Sequence, residues 1–217
     1  MVEEKDLKNR RRTNAEKVQV GDYFAGSDRY YDQVSETTVV KVFSGDCYTT
    51  ANNGEMLVTI LGSCIAACIR DPLAQVGGMN HFLLPDSNNV GDAPTRYGAY
   101  AMEKLINDLL KKGAQKSRLE IKVFGGGNVI KSSAMIGDKN VKFIRDYLGK
   151  EGLRIIQEDL GGTSPRRIHY YPDTGKVMMR KLNRKEDYEQ VEQEESTYEK
   201  AITIKSKKEV EGQVELF

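Results

Sequence analysis

Met56-Leu57-Val58-Thr59-Ile60-Leu61-Gly62-Ser63-Cys64 is an apolar run, rich in β-branched side chains, that ends on a glycine and delivers a serine and a cysteine. Leu57 to Leu61 therefore reads as a buried strand. The apolar stretch extends to Ile69, but Thr59, Gly62, Ser63 and Cys64 break it, and it is too short to span a bilayer. Seventeen residues after Cys64 comes His81, in Gly77-Gly78-Met79-Asn80-His81-Phe82-Leu83-Leu84-Pro85, with a second strand expected over Val76 to Leu84. A thiol does little covalent chemistry until a base takes its proton. The chain has two histidines, His81 and His169, and these are the candidate bases for Cys64.

Around this pair, short strands and helices alternate from Thr38 to Leu182. Val39 to Val42 is strand-like and Ser44-Gly45-Asp46 is a turn. Ala101, Leu105, Ile106, Leu109 and Leu110 recur at helical spacing, which predicts a helix from about Arg96 to Lys112 with Gly113 as its cap. Leu119 to Phe124 is a strand running into Gly125-Gly126-Gly127. Asp138 to Lys150 reads as a second helix, with Val141, Ile144 and Leu148 inward, and Leu153 to Gln157 as a strand. Arg167 to Leu182 reads as a hairpin turning at Pro172-Asp173-Thr174-Gly175. The fold class is mixed α/β, and the pattern leaves strand order open.

A chain of 217 residues can bury a sizeable core. Its net charge is +1 and no basic stripe appears, which argues against nucleic acid as the main partner. The polar N-terminus has no signal-like apolar segment. Three cysteines without a repeated CxxC fit reduced thiols, so a cytoplasmic location is expected. Their spacing and that of the histidines suggest no metal or other cofactor. Residues 1–20, with Arg10-Arg11-Arg12, are expected to be a flexible arm and 21–182 one folded domain. Residues 183–217 are expected to be a mobile acidic tail with an apolar end, because such a segment buries too little apolar area to offset its ordering entropy.

Moving a thiol pKa from near 8.5 to about 6 requires roughly 3.4 kcal/mol of preference for the anion. A helix starting after Cys64, over Ile65-Ala66-Ala67-Cys68-Ile69-Arg70, would supply part through its positive end, and an imidazolium at His81 the rest. Gly62 permits a tight turn, and the amides of Ser63 and Cys64 are then candidate oxyanion donors. The competing readings are a buried structural cysteine for Cys64 and a carbonyl-bonded core histidine for His81. His169 follows Arg166-Arg167, and neighbouring cations make it a poorer proton acceptor. Cys47 and Cys68 read as structural.

Five segments now resemble the CheD family of chemoreceptor glutamine deamidases: Val58 to Cys64, Gly77 to Pro85, Arg96-Tyr97-Gly98-Ala99-Tyr100-Ala101-Met102, Lys122-Val123-Phe124-Gly125-Gly126-Gly127-Asn128 and Asp159-Leu160-Gly161-Gly162. They run in order from about Val39 to Leu182. The resemblance implies a layered α/β (α+β) fold, mixed sheets covered by helices, related to deamidating bacterial toxins. It implies hydrolysis of receptor glutamines to glutamates through a cysteine, a histidine and a threonine. These map onto Cys64, His81 and Thr59, with the Thr59 hydroxyl or carbonyl orienting His81.

The implied substrates are methyl-accepting chemotaxis receptors, with contact to the membrane only through them. An alternative role is a regulatory module engaging a CheC-type phosphatase, and hydrolysis of receptor methyl esters would use the same residues. Gly125-Gly126-Gly127-Asn128 lacks the GK[ST] of a phosphate loop. These glycines are expected to admit substrate backbone or form a tight turn, with Asn128 donating near the site. Arg166 and Arg167 are candidates for meeting acidic receptor helices, or form a solvated face. The end, Gln213-Val214-Glu215-Leu216-Phe217, is a candidate docking motif that offers Gln213 to an active site.

Overall fold

The structure, a computed structural model, describes residues 29–84, 93–129 and 135–211. The arm expected over 1–20 and the segment Gln213 to Phe217 lie outside the described residues.

Among the described residues, ten strands form two five-stranded sheets. The first runs in the order β1 (Arg29–Asp32), β2 (Thr37–Lys41), β4 (Glu55–Leu61), β9 (Arg166–Tyr170), β10 (Val177–Lys181). The second runs β3 (Cys47–Thr50), β6 (Val76–Phe82), β5 (Ile65–Asp71), β7 (Glu120–Gly125), β8 (Ile155–Leu160). Both are mixed: β2 pairs parallel with β4, and β7 parallel with β8, while the other pairings are antiparallel. Helices α1 (Ala93–Lys111) and α2 (Ile136–Lys150) carry the apolar stripes expected of them.

Three layers result. Ile65, Ala67, Ile69 and Phe82 of the second sheet pack under Met102, Leu105 and Leu109 of α1 and Phe143, Ile144 and Leu148 of α2. The opposite face of that sheet presents Ala66, Cys68, Met79 and Phe124 to Val40, Leu57, Leu61, Ile168 and Tyr170 of the first. The second sheet is thus covered on both faces. That accounts for the unbroken burial of β6 and the near-continuous burial of β5, and for their lack of a polar alternation.

The segment after Cys64 is therefore not a helix. Ile65 to Asp71 is strand β5, bonded on one edge to β6 and on the other to β7, with odd residues toward the helices and even ones toward the first sheet. A short apolar run looks the same in sequence whether it is a buried strand or a helical turn, and two-sided pairing decides it. The tail differs from expectation as well. Lys185–Glu211 forms helix α3, with Val191 and Glu195 buried. Composition measured only how little apolar area the segment carries, and missed that the side chains which dock share one helical face. Among the described residues, no helix is long and apolar enough to cross a membrane.

Candidate active site

Gly62, Ser63 and Cys64 carry the chain from the end of β4 in one sheet to the start of β5 in the other. All three carbonyls of this crossing are held. Gly127 N–H donates to Gly62 O (2.7 Å), Asn140 Nδ2 to Ser63 O (2.8 Å), and Gly126 N–H to Cys64 O (2.8 Å). With the carbonyls fixed, the Ser63 and Cys64 amides are presented together to one acceptor. Both donate to Glu195 Oε1, at 2.7 and 3.1 Å, and Ser63 Oγ donates to Glu195 Oε2 at 2.7 Å. These lengths match those required of donors to a developing oxyanion.

The glycine run is what lets a second backbone approach so closely. A Cβ on Gly125, at φ +113°, would stand 2.1 Å from Cys64 O, and one on Gly126, at φ +64°, would stand 2.3 Å from a Val141 methyl. The glycines thus admit the nucleophile's own turn, not substrate backbone.

His81 lies on β6 opposite Ala66, in the register that faces the first sheet. There it meets Thr59, which stands between Leu57 and Leu61 on the inward row of β4. Thr59 Oγ1 donates its hydrogen to Val42 O (2.7 Å), so toward His81 Nδ1, 2.8 Å away, it can only accept. Val42 O, 3.4 Å from Nδ1, is also an acceptor. The imidazole therefore carries its hydrogen on Nδ1 and turns the Nε2 lone pair outward. Ser44 Oγ lies 3.1 Å from Nε2 and 3.7 Å from Cys64 Sγ, between thiol and base. Burial pushes the His81 pKa down to about 4, against a weaker opposing effect from the Val42 carbonyl. The ring is thus neutral, with the Nε2 lone pair free, and burial makes it a weaker base than an exposed imidazole. Neither device expected to favour the thiolate is present: the helix is a strand, and the imidazole is uncharged.

Cys64, His81, Thr59, Ser63 and Gly62 are brought together. Asn128 is not, because its side chain donates to Asp138 Oδ2 (3.1 Å) and its N–H to Gly162 O (2.8 Å). His169 stands on β9 beside Val58 and Met178, away from the inter-sheet row, with its pKa lowered by burial and by Arg167. Burial raises the Cys47 thiol to about 12 and takes Cys68 higher still, as suits structural cysteines. Arg166 is buried in an ion pair with Asp159 (2.6 Å) and offers no charge to a partner, whereas Arg167 is exposed.

Three site residues escaped the sequence reading. Ser44 was visible only as a turn residue. Asn140 is a fully buried amide on α2 between Gly137 and Phe143, a polar interruption of an apolar stripe. Glu195 stands four residues after Val191 and three before Tyr198, a spacing obscured by the surrounding acidic residues.

Comparison with known proteins agrees in one direction. The family model described as CheD chemotactic sensory transduction matches residues 83–181. Over 193 residues the chain is 52% identical to a probable chemoreceptor glutamine deamidase CheD of Rhodopseudomonas palustris, covering 87% of this chain and 89% of that one. It is 45% identical over 194 residues to the protein of the same description from Thiobacillus denitrificans, covering 87% and 94%. Among solved structures, a hypothetical protein YfiH of Bacillus licheniformis aligns with 55% of this chain and 50% of that one, at 16% identity and a TM-score of 0.35, too low to bear on the fold.

Proposed function

The chain belongs to the CheD family, and on that premise we propose that it hydrolyses the side-chain amide of selected glutamines on methyl-accepting chemotaxis receptors, with Cys64 as nucleophile, His81 as acid and base, and Thr59 as the residue that orients His81. The observation that carries this reading is the directed line Thr59–His81–Ser44–Cys64, ending beside two aligned amides. A purely regulatory module that engages a CheC-type phosphatase would need no such line, so the enzyme reading is favoured over it. In this reading residues 21–182 are the deamidase domain, the segment from 183 onward is an appendage, and the protein works in the cytoplasm.

The Cys64 thiol proton passes to His81 Nε2 through the Ser44 hydroxyl as sulfur attacks the amide carbon. The carbonyl oxygen takes the negative charge and is held by the Ser63 and Cys64 amides, each such donor being typically worth about 2.7–4 kcal/mol in rate. His81 returns the proton to the departing nitrogen, the carbon–nitrogen bond breaks, and ammonia leaves a thioester on Cys64. His81 then takes a proton from water, which attacks the thioester, and glutamate and the thiol are released.

Incubation with a receptor cytoplasmic fragment, followed by peptide mass spectrometry, tests this. Conversion of defined glutamines to glutamate by the wild type and not by Cys64→Ala is expected. A folded wild type that leaves every receptor glutamine unchanged would overturn the deamidase reading.

A further inference from the structure

Cys64 is fully buried and His81 nearly so, although a nucleophile for protein substrates must be reached from outside. Helix α3 closes the site, and it does so with three side chains on one face. Val191 lies against Gly62, where a Cβ would stand 2.4 Å from its methyl. Glu195 takes the Ser63 and Cys64 amides and the Ser63 hydroxyl. Tyr198 covers Gly45, where a Cβ would stand 2.5 Å from its ring, and its hydroxyl bonds to that of Tyr97 on α1. Spacings of four and three residues put these groups in one row along a helix. On either side of that row, Glu192, Gln193 and Thr197 are exposed. Among the described side chains of α3, this row makes the contacts with the site.

The group at the centre of the row is informative. A glutamate side chain is what remains of a glutamine once its amide has been hydrolysed. Glu195 places one carboxylate oxygen on both amides assigned to the oxyanion and the other on Ser63 Oγ. Resting on the deamidase reading above, we propose that α3 occupies the groove of the receptor helix as a built-in product mimic, and that the free chain stays closed until a substrate helix displaces it. The row also describes the partner: an α-helix with an apolar residue four positions before the target glutamine and a large side chain three positions after it, the two flanking contacts falling on Gly62 and Gly45. The tail thus presents Glu195 to the site.

The test uses the full chain, with iodoacetamide as the probe and peptide mapping to separate the three cysteines. Glu195→Ala is expected to label Cys64 at least tenfold faster than wild type, as loss of charge-assisted contacts implies, and Tyr198→Ala faster than wild type through loss of its cover over Gly45, with Cys47 and Cys68 remaining slow. Equal Cys64 labelling in all three chains would overturn the proposal. An unfolded variant reveals itself by labelling every cysteine, and the near-isosteric Glu195→Gln then serves in its place.

Glu195→Gln also turns the occupant into a substrate. The introduced glutamine is expected to become glutamate, with release of ammonia, in the chain with Cys64 and not in the Cys64→Ala double variant. Persistence of the introduced amide in a preparation that converts receptor glutamines would overturn the placement of α3. Faster labelling of Cys64 without conversion of either the introduced glutamine or the receptor would support the docking of α3 and count against the deamidase reading instead.

Discussion

At the scale of single residues, the tautomer of His81 is fixed by a hydroxyl that has already spent its hydrogen elsewhere. Thr59→Val keeps the shape and removes the nearer acceptor, leaving only the longer Val42 carbonyl contact to hold the Nδ1 hydrogen. We expect kcat for receptor deamidation to fall roughly tenfold to a hundredfold, with Thr59→Ser restoring most of it. Unchanged turnover in Thr59→Val would remove Thr59 from the machinery. Burial of His81 has a consequence for stability too. Its folded pKa of about 4 lies below the ordinary imidazole value, so between the two the unfolded chain binds a proton that the folded chain does not. Stability is therefore lost as pH falls from about 6.5 toward 4, by about 2 kcal/mol between pH 7 and pH 5. Urea unfolding at those two pH values should show this slope in the wild type and a shallower one in His81→Asn. Asp71 acts in the same direction at lower pH, since Arg118 holds its carboxyl well below the usual range.

At the scale of elements, the β4–β5 crossing works because three donors from outside it hold its three carbonyls. Asn140 is the one that a side-chain substitution can remove. It donates to Ser63 O and accepts from Leu84 N–H (2.9 Å), both buried. Asn140→Ala strands both partners and should cost about 2–4 kcal/mol in urea unfolding. It should also lower turnover while leaving the His81 contacts in place. A loss of stability without loss of turnover would show that the crossing needs no such brace. The same elements show what was legible beforehand. Strands β2, β4, β6 and β7, helices α1 and α2, and the β9–β10 hairpin follow from periodicity and turn residues, because each has a regular face or a strong stop. The β5 strand does not, since burial on both faces erases the alternation that would identify it. Cys64 and His81 stand out in the sequence because thiols and imidazoles are few here, whereas Thr59 enters only through the family resemblance. Ser44 and Asn140 are common residues whose roles arise only when distant segments meet.

At the scale of the whole molecule, the site lies where two sheets exchange the chain and where a helix from the acidic segment closes over it. Pairing of β4 with β9 and of β5 with β7 brings distant stretches of sequence around one turn, with Leu61 and Arg166 as direct partners, which no local pattern encodes. The docking of α3 escaped the composition argument for a related reason: among its described side chains, Val191, Glu195 and Tyr198 meet the site while their neighbours on the helix are polar. On the deamidase reading the molecule is a preassembled cysteine amidohydrolase whose groove accepts a helix, its own or a receptor's.

The central claim, that the amide is exchanged for a thioester on Cys64, is tested most directly by acid-quenching the enzyme during its first turnovers with a receptor fragment and mapping the covalent adduct. The predicted result is a receptor peptide, lighter by one ammonia, attached at Cys64 in the wild type, and no glutamate formed by Cys64→Ala. Glutamate formed at the wild-type rate by Cys64→Ala would contradict it.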